Sequence, residues 1–275
     1  MTESGAWKTL VDGDGERGVV LAVDFDTTGR PEARFSDLMA QVKSDFAVWE
    51  TVPPAADSEF ARSGAGYVEY WARHIENSGN RPQVRAVMGF CAGSVYAAAL
   101  AERVAEIQGS EPLLLLFDPE LSTAQTLMWQ FHKVIGFMSA TLSAEDIAEA
   151  REIGQQAHDT TPHVGELKDE LIRLMRRFGE PALARVGLDE ARREELFEVF
   201  DSFLSYLAVA AEIDPRERWK SAIALNSTSP LSGLNAMRAS GVEIEVAEEV
   251  VIDVDHGTML ADADLAAAVT RLLDI

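Results

Sequence analysis

Cys91 stands in the pentapeptide Gly89-Phe90-Cys91-Ala92-Gly93, and a thiol framed by glycines at this spacing can act as a nucleophile. The spacing has a mechanical basis. A residue on a sharp strand-to-helix turn projects away from both elements, and glycines two places to either side avoid the neighbouring strand and helix. The backbone N–H of the next residue, Ala92, is then aimed where a carbonyl oxygen would gather negative charge. The start of a helix also favours a thiolate at Cys91, as would a neighbouring imidazolium. The thiol needs a base, and the chain has five histidines. His74 falls in an early helical pattern, and His132, His158 and His163 fall in a long helical stretch. His256 lies in Asp255-His256-Gly257-Thr258-Met259-Leu260, after the last strand pattern and before the last helix, where an imidazole can reach over the end of a sheet.

The base needs an orienting carboxylate. Asp118 ends the strand pattern that follows the Cys91 helix. The next strand pattern ends in Asn226-Ser227-Thr228-Ser229 and offers no carboxylate, while Asp253 and Asp255 lie too close along the chain to face His256 Nδ1. Taken singly, Cys91 is equally an inert buried thiol, Asp118 a turn cap before Pro119, and His256 a surface-loop residue. Their shared place at strand ends is what joins them.

The elements that would position them alternate. Gly18 to Phe25, Phe46 to Val52, Val84 to Met88 and Pro112 to Phe117 read as strands. Phe35 to Val42, Tyr67 to Glu76 and the Ala-rich Ser94 to Ile107 read as helices. Short apolar runs between helices point to buried parallel strands, hence an α/β fold: a mostly parallel central sheet flanked by helices on both faces. From 121 to 218 the pattern is almost wholly helical. Ser143 is placed as an N-cap, and Pro162, Gly179-Glu180-Pro181 and Gly187 are expected to divide the stretch. Trp219 to Leu225 and Val242 to Val254 resume strand patterns, and Ala261 to Leu273 closes as an amphipathic helix. The expected organisation is a core of 1–120 and 219–275 with a helical insertion at 121–218.

Composition narrows the partners. There are 24 Lys and Arg against 46 Asp and Glu, a formal charge of −22, which argues against nucleic acid and against an anionic membrane surface. No run approaches the roughly 18 apolar residues of a membrane span. The first residues lack the basic and apolar regions of a secretory signal, so a cytoplasmic location is expected. A single cysteine leaves no internal disulfide and no Cys-rich zinc site, and neither metal nor cofactor is expected. The turn Asp12-Gly13-Asp14-Gly15 lacks the later ligands of a calcium loop.

Four segments together resemble the thioesterase family of polyketide and nonribosomal peptide pathways: Val87 to Ser94, Leu113 to Asp118, the helical insertion, and Asp255 to Leu260. The resemblance implies an α/β-hydrolase fold with a helical lid, and an acyl group held as a thioester on a carrier protein's phosphopantetheine or on CoA. It also implies Cys91, Asp118 and His256 as the catalytic set, through an acyl-cysteine intermediate. Ala92 would form the oxyanion hole together with Asp26 or Thr27, and Met128, Trp129 and Phe131 would line the substrate pocket from the lid. The chain departs from the family in three ways. Cysteine replaces the usual serine. The first loop, Asp24-Phe25-Asp26-Thr27-Thr28-Gly29, carries unexpected aspartates and a late glycine. The insertion is unusually long.

A thiol that attacks a thioester makes another thioester, nearly equal in energy and still reactive. Transfer or cyclisation is therefore as open to it as hydrolysis. Arg173, Arg176, Arg177, Arg185, Arg192 and Arg193 could form a basic face for an acidic carrier protein, or could pair with nearby glutamates. Two other readings remain. One is a cysteine-dependent ester or lactone hydrolase of the dienelactone-hydrolase kind. The other is a non-hydrolytic cyclase, eliminating enzyme or ligand-binding pseudoenzyme on the same fold.

Overall fold

The structure is a computed structural model that describes residues 5–13, 18–26, 31–43, 45–78 and 81–274. The chain divides into two compact units: residues 1–121 with 213–275, and residues 122–212.

The first unit is built on a seven-stranded sheet. Its strands are β1 (Trp7–Val11), β2 (Val19–Val23), β3 (Ala47–Thr51), β4 (Val84–Phe90), β5 (Leu113–Phe117), β6 (Ile223–Ser227) and β7 (Glu248–Ile252), in the order β1-β3-β2-β4-β5-β6-β7. All neighbours are parallel except β1, which pairs antiparallel with β3. The central strands are apolar throughout because helices cover both faces. On one face, Val20, Ala22, Met88, Phe90, Leu115 and Phe117 pack with α1 (Phe35–Met39) and α10 (Ala263–Leu273). On the other lie α2 (Gly64–Glu76) and α3 (Gly93–Gln108), joined by Tyr67, Trp71 and Tyr96, whose ring centroids lie 5.5–5.6 Å apart. Such aromatic pairs add about 0.5–1.5 kcal/mol each beyond their burial.

Several elements differ from the sequence reading. Trp219 does not open a strand. It ends the short helix α8 (Arg216–Trp219), and its indole N–H donates to the Ser94 carbonyl at 3.2 Å, tying that turn to α3. The alternating run from Val242 forms strand only over Glu248–Ile252, because β6 offers just the five partners Ile223 to Ser227. The Phe35 helix stops at Met39 rather than Val42. Gly233–Ala239 forms the unforeseen helix α9.

The second unit is helical: α4 (Ala124–Phe137), α5 (Ala144–Thr160), α6 (Val164–Arg185) and α7 (Glu190–Ala210). Ser143 caps α5 by accepting from the Asp146 N–H, and the Asp146 side chain accepts from Ser143 N–H in return. Gly179-Glu180-Pro181 does not break the chain. Pro181 lies inside α6, where Phe178 and Ala182 are buried and Gly179 faces the Phe197 ring, so packing outweighs one lost backbone hydrogen bond. Among the described residues, no helix is long and apolar enough to cross a membrane.

Candidate functional site

Cys91 is the first residue after β4, and its φ is 51°, in the left-handed region. The flanking glycines are required by close approach. A Cβ on Gly89 would lie 2.6 Å from Ala97 Cβ, and one on Gly93 would lie 2.3 Å from the Val23 carbonyl oxygen. The turn is tied to the sheet by Cys91 N–H, which donates to Phe117 O at 2.9 Å, and to α3 by Ser94 N–H, which donates to Cys91 O at 3.0 Å.

Asp118 is the first residue after β5 and is fully buried, with φ 42°. Each carboxylate oxygen has a donor. Ser227 N–H reaches Oδ1 at 2.6 Å, and His256 Nδ1 lies 2.8 Å from Oδ2. Gly233, itself at φ 58°, leaves the space this needs, since a Cβ there would lie 2.7 Å from Asp118 Oδ1. Asn226, at the end of β6, is also buried and accepts the Leu234 N–H, so it serves as a brace for α9.

His256 begins a 3-10 turn, His256–Ala261. Its backbone N–H donates to Ser229 Oγ at 2.8 Å, and its ring stacks on Phe90 with centroids 4.9 Å apart and planes 14° apart. The ring stays 21% exposed, and Nδ1 bound to Asp118 leaves Nε2 as the free nitrogen. Among the described residues, no hydrogen bond joins His256 to the Cys91 sulfur; such contacts are often long before a substrate is bound.

Glu120 was not singled out in the sequence, yet it stands at the thiol. Its backbone N–H donates to Cys91 O at 3.3 Å, its Oε1 accepts from Gly233 N–H at 2.9 Å, and its charge acts on the Cys91 thiol. The only signal in the sequence is a carboxylate two residues past Asp118, across Pro119.

The electrostatics reverse one expectation. Burial pushes the Cys91 thiol well above its ordinary pKa, and the charges of Glu120, Asp24 and Asp118 push it further in the same direction. The Ala92 N–H favours the thiolate but is outweighed. The resting group is a thiol rather than a thiolate. Burial likewise raises Glu120, against the opposing effect of the Gly233 N–H.

No protein-family model matches the sequence, and no curated protein matches it. Solved structures do. The NocB thioesterase domain from the nocardicin cluster is 17% identical with a TM-score of 0.56, over 99% of this chain and 100% of that one. The Vlm2 thioesterase domain bound with a dodecadepsipeptide is 16% identical with a TM-score of 0.51, over 98% and 97%. The four-domain nonribosomal peptide synthetase AB3403, bound to AMP and glycine, is 14% identical with a TM-score of 0.54. The match there covers 98% of this chain but 20% of that one.

The fold is the α/β-hydrolase fold of thioesterase domains.

In this α/β-hydrolase fold the Asp26 side chain is paired, which bears on its charge and not on its backbone N–H. Its carboxylate pairs with Lys8 at 2.9 Å and Arg34 at 3.2 Å, and Lys8 also reaches Glu50 at 3.0 Å. Its charge is thus answered by two cations. Thr27, with Thr28 and Gly29, lies outside the described residues, as do Asp14 and Gly15 of the Asp12 turn. In the helical unit, Met128 and Phe131 are buried on one face of α4 with Leu127 and Ile135, while Trp129 is half-exposed. Of the two readings of the insertion's arginines, pairing with glutamates is the one found for five of them. Arg173 pairs with Glu170, Arg176 with Glu194, Arg177 with Glu149, Arg192 with Glu195 and Arg193 with Glu180, and Arg185 donates to the Thr141 carbonyl.

Proposed function

We propose that this chain is a thioesterase-type enzyme that takes an acyl group from a carrier-protein or CoA thioester onto Cys91 and then releases or transfers it. The observation that carries the reading is the 2.8 Å hydrogen bond from His256 Nδ1 to buried Asp118, at the same sheet edge as Cys91 in its left-handed turn. Asp118 fixes the imidazole tautomer, leaving Nε2 to take the thiol proton as Sγ attacks the acyl carbonyl. That transfer suits a group that rests as a thiol, because the nucleophile is made only when the base is engaged. The Ala92 N–H then donates to the oxyanion. As the tetrahedral adduct collapses, the departing thiolate takes the proton back from Nε2, leaving an acyl-cysteine.

An acyl N-acetylcysteamine thioester tests this. Intact-protein mass spectrometry should show an acyl adduct on the wild type and none on Cys91→Ala, and His256→Ala should slow its formation by about a thousandfold or more. Full turnover by Cys91→Ala would overturn the reading. Turnover of lactones with none of thioesters would move it to the ester and lactone hydrolases.

A further inference from the structure

We propose that Glu120 is the specificity-determining residue of this site, and that it selects an acyl acceptor bearing a primary ammonium group. The proposal rests on the reading of Cys91 as the acyl carrier and extends it to the class of acceptor.

Glu120 is held in place from both ends. Its backbone is bonded to the Cys91 carbonyl and its Oε1 to the Gly233 N–H, so its carboxylate is fixed at the Cys91 turn, where its charge acts on the thiol. Among the described residues, no lysine or arginine pairs with it; His256 is the one cationisable group that acts on it. Negative charge develops on the acyl oxygen during attack, and a fixed carboxylate beside that carbon opposes it. An ammonium acceptor reverses the balance. It would pair with Glu120 by a charge-assisted hydrogen bond, which holds its nitrogen beside the acyl carbonyl and cancels the unfavourable charge.

The step balances with no further reagent. The ammonium gives one proton to the Glu120 carboxylate and becomes a free amine. The amine nitrogen forms a C–N bond to the acyl carbon while the C–S bond to Cys91 breaks. The second nitrogen-bound proton passes through His256 Nε2 to the departing sulfur, which restores the thiol, and Glu120 returns its proton to solvent. The product is an amide.

The test uses the full chain, acylated at Cys91 by an octanoyl N-acetylcysteamine thioester and then challenged with propylamine and propanol in equal concentration. The readout is the ratio of amide to ester, compared across the wild type, Glu120→Gln and Glu120→Asp. Glu120→Gln keeps an acceptor for the Gly233 N–H and removes only the charge. It should lower the ratio about tenfold or more, the size expected for one charge-assisted contact, and Glu120→Asp should recover part of it. An unchanged ratio in Glu120→Gln, or deacylation by water alone in the wild type, would overturn the inference while leaving the acyl-cysteine intact. Absence of any Cys91 adduct in the first stage would instead overturn the underlying reading, and the inference with it.

Discussion

Cys91 and Asp118 share a backbone conformation that no other non-glycine residue adopts among the described residues, with φ of 51° and 42°. They are also register neighbours. Phe90 pairs with Phe117 at the ends of β4 and β5, and each residue is the next one along its strand. A left-handed conformation costs a non-glycine residue about 1–3 kcal/mol, so something must hold both. The sheet does so by extending its hydrogen bonding one step past the strands. Cys91 N–H donates to Phe117 O and Asp118 N–H to Leu225 O, each at 2.9 Å.

Asp118→Asn should separate orientation from charge. Asparagine can still accept the Ser227 N–H, but it turns an amide donor toward His256 Nδ1. The ring must then carry its proton on Nε2, where it cannot accept one from the thiol. Turnover of an acyl thioester should fall roughly 10³–10⁴-fold with the circular dichroism spectrum unchanged. Near-normal turnover would refute this role for Asp118.

The thiol's protonation can be read by alkylation. Burial and the neighbouring carboxylates raise Cys91, so iodoacetamide should react slowly at neutral pH and keep accelerating well into the alkaline range. Glu120→Gln removes one charge that opposes the thiolate. Its rate profile should therefore move to lower pH, and superimposable profiles would show that Glu120 does not act on the thiol.

Glu50 should make stability depend on pH. It is buried on β3 and pushed up to about 7, chiefly by burial, with Lys8 pulling the other way. The folded protein therefore holds a proton that the unfolded chain has already lost above its ordinary carboxylate pKa. Glu50's contribution is complete below about 4.5 and is lost as pH rises through about 7. Urea unfolding should show wild type losing stability relative to Glu50→Gln between pH 5 and pH 8, by on the order of 3 kcal/mol. A constant difference across that window would contradict the account.

Gly93→Ala should unfold at a lower urea concentration, by the equivalent of about 2–3 kcal/mol, because its Cβ would meet the Val23 backbone, which cannot yield as a side chain would. Gly257→Ala is the matched control. Nothing lies within 4 Å of the added carbon, and the change should stay within about 0.5 kcal/mol.

The fold was legible where local pattern and tertiary environment agree. The apolar runs at β2, β4 and β5 are strands buried on both faces, and the glycines around Cys91 mark a turn that excludes side chains. Asp118 and His256 could be found because each follows directly on an apolar strand or precedes the last helix. Other features depend on partners distant in sequence. β1 is a mixed Trp-Lys-Thr-Leu-Val run that becomes a strand by pairing with β3. The extent of β7 is set by β6, and Pro181 is carried by the packing of its neighbours. Glu120 has no local signature, because its role comes from Gly233, 113 residues away.

The row formed by Cys91 and Asp118 continues to Asn226, since Phe117 pairs with Leu225. A Cβ on Gly233 would lie 2.5 Å from Asn226 Oδ1 and 2.7 Å from Asp118 Oδ1, so two side chains from adjacent strands converge on one glycine. That convergence is thus a property of the sheet's rim rather than of a single strand. A side chain at either strand end meets the same glycine, and of the two the carboxylate at 118 holds the histidine loop while the amide at 226 anchors α9.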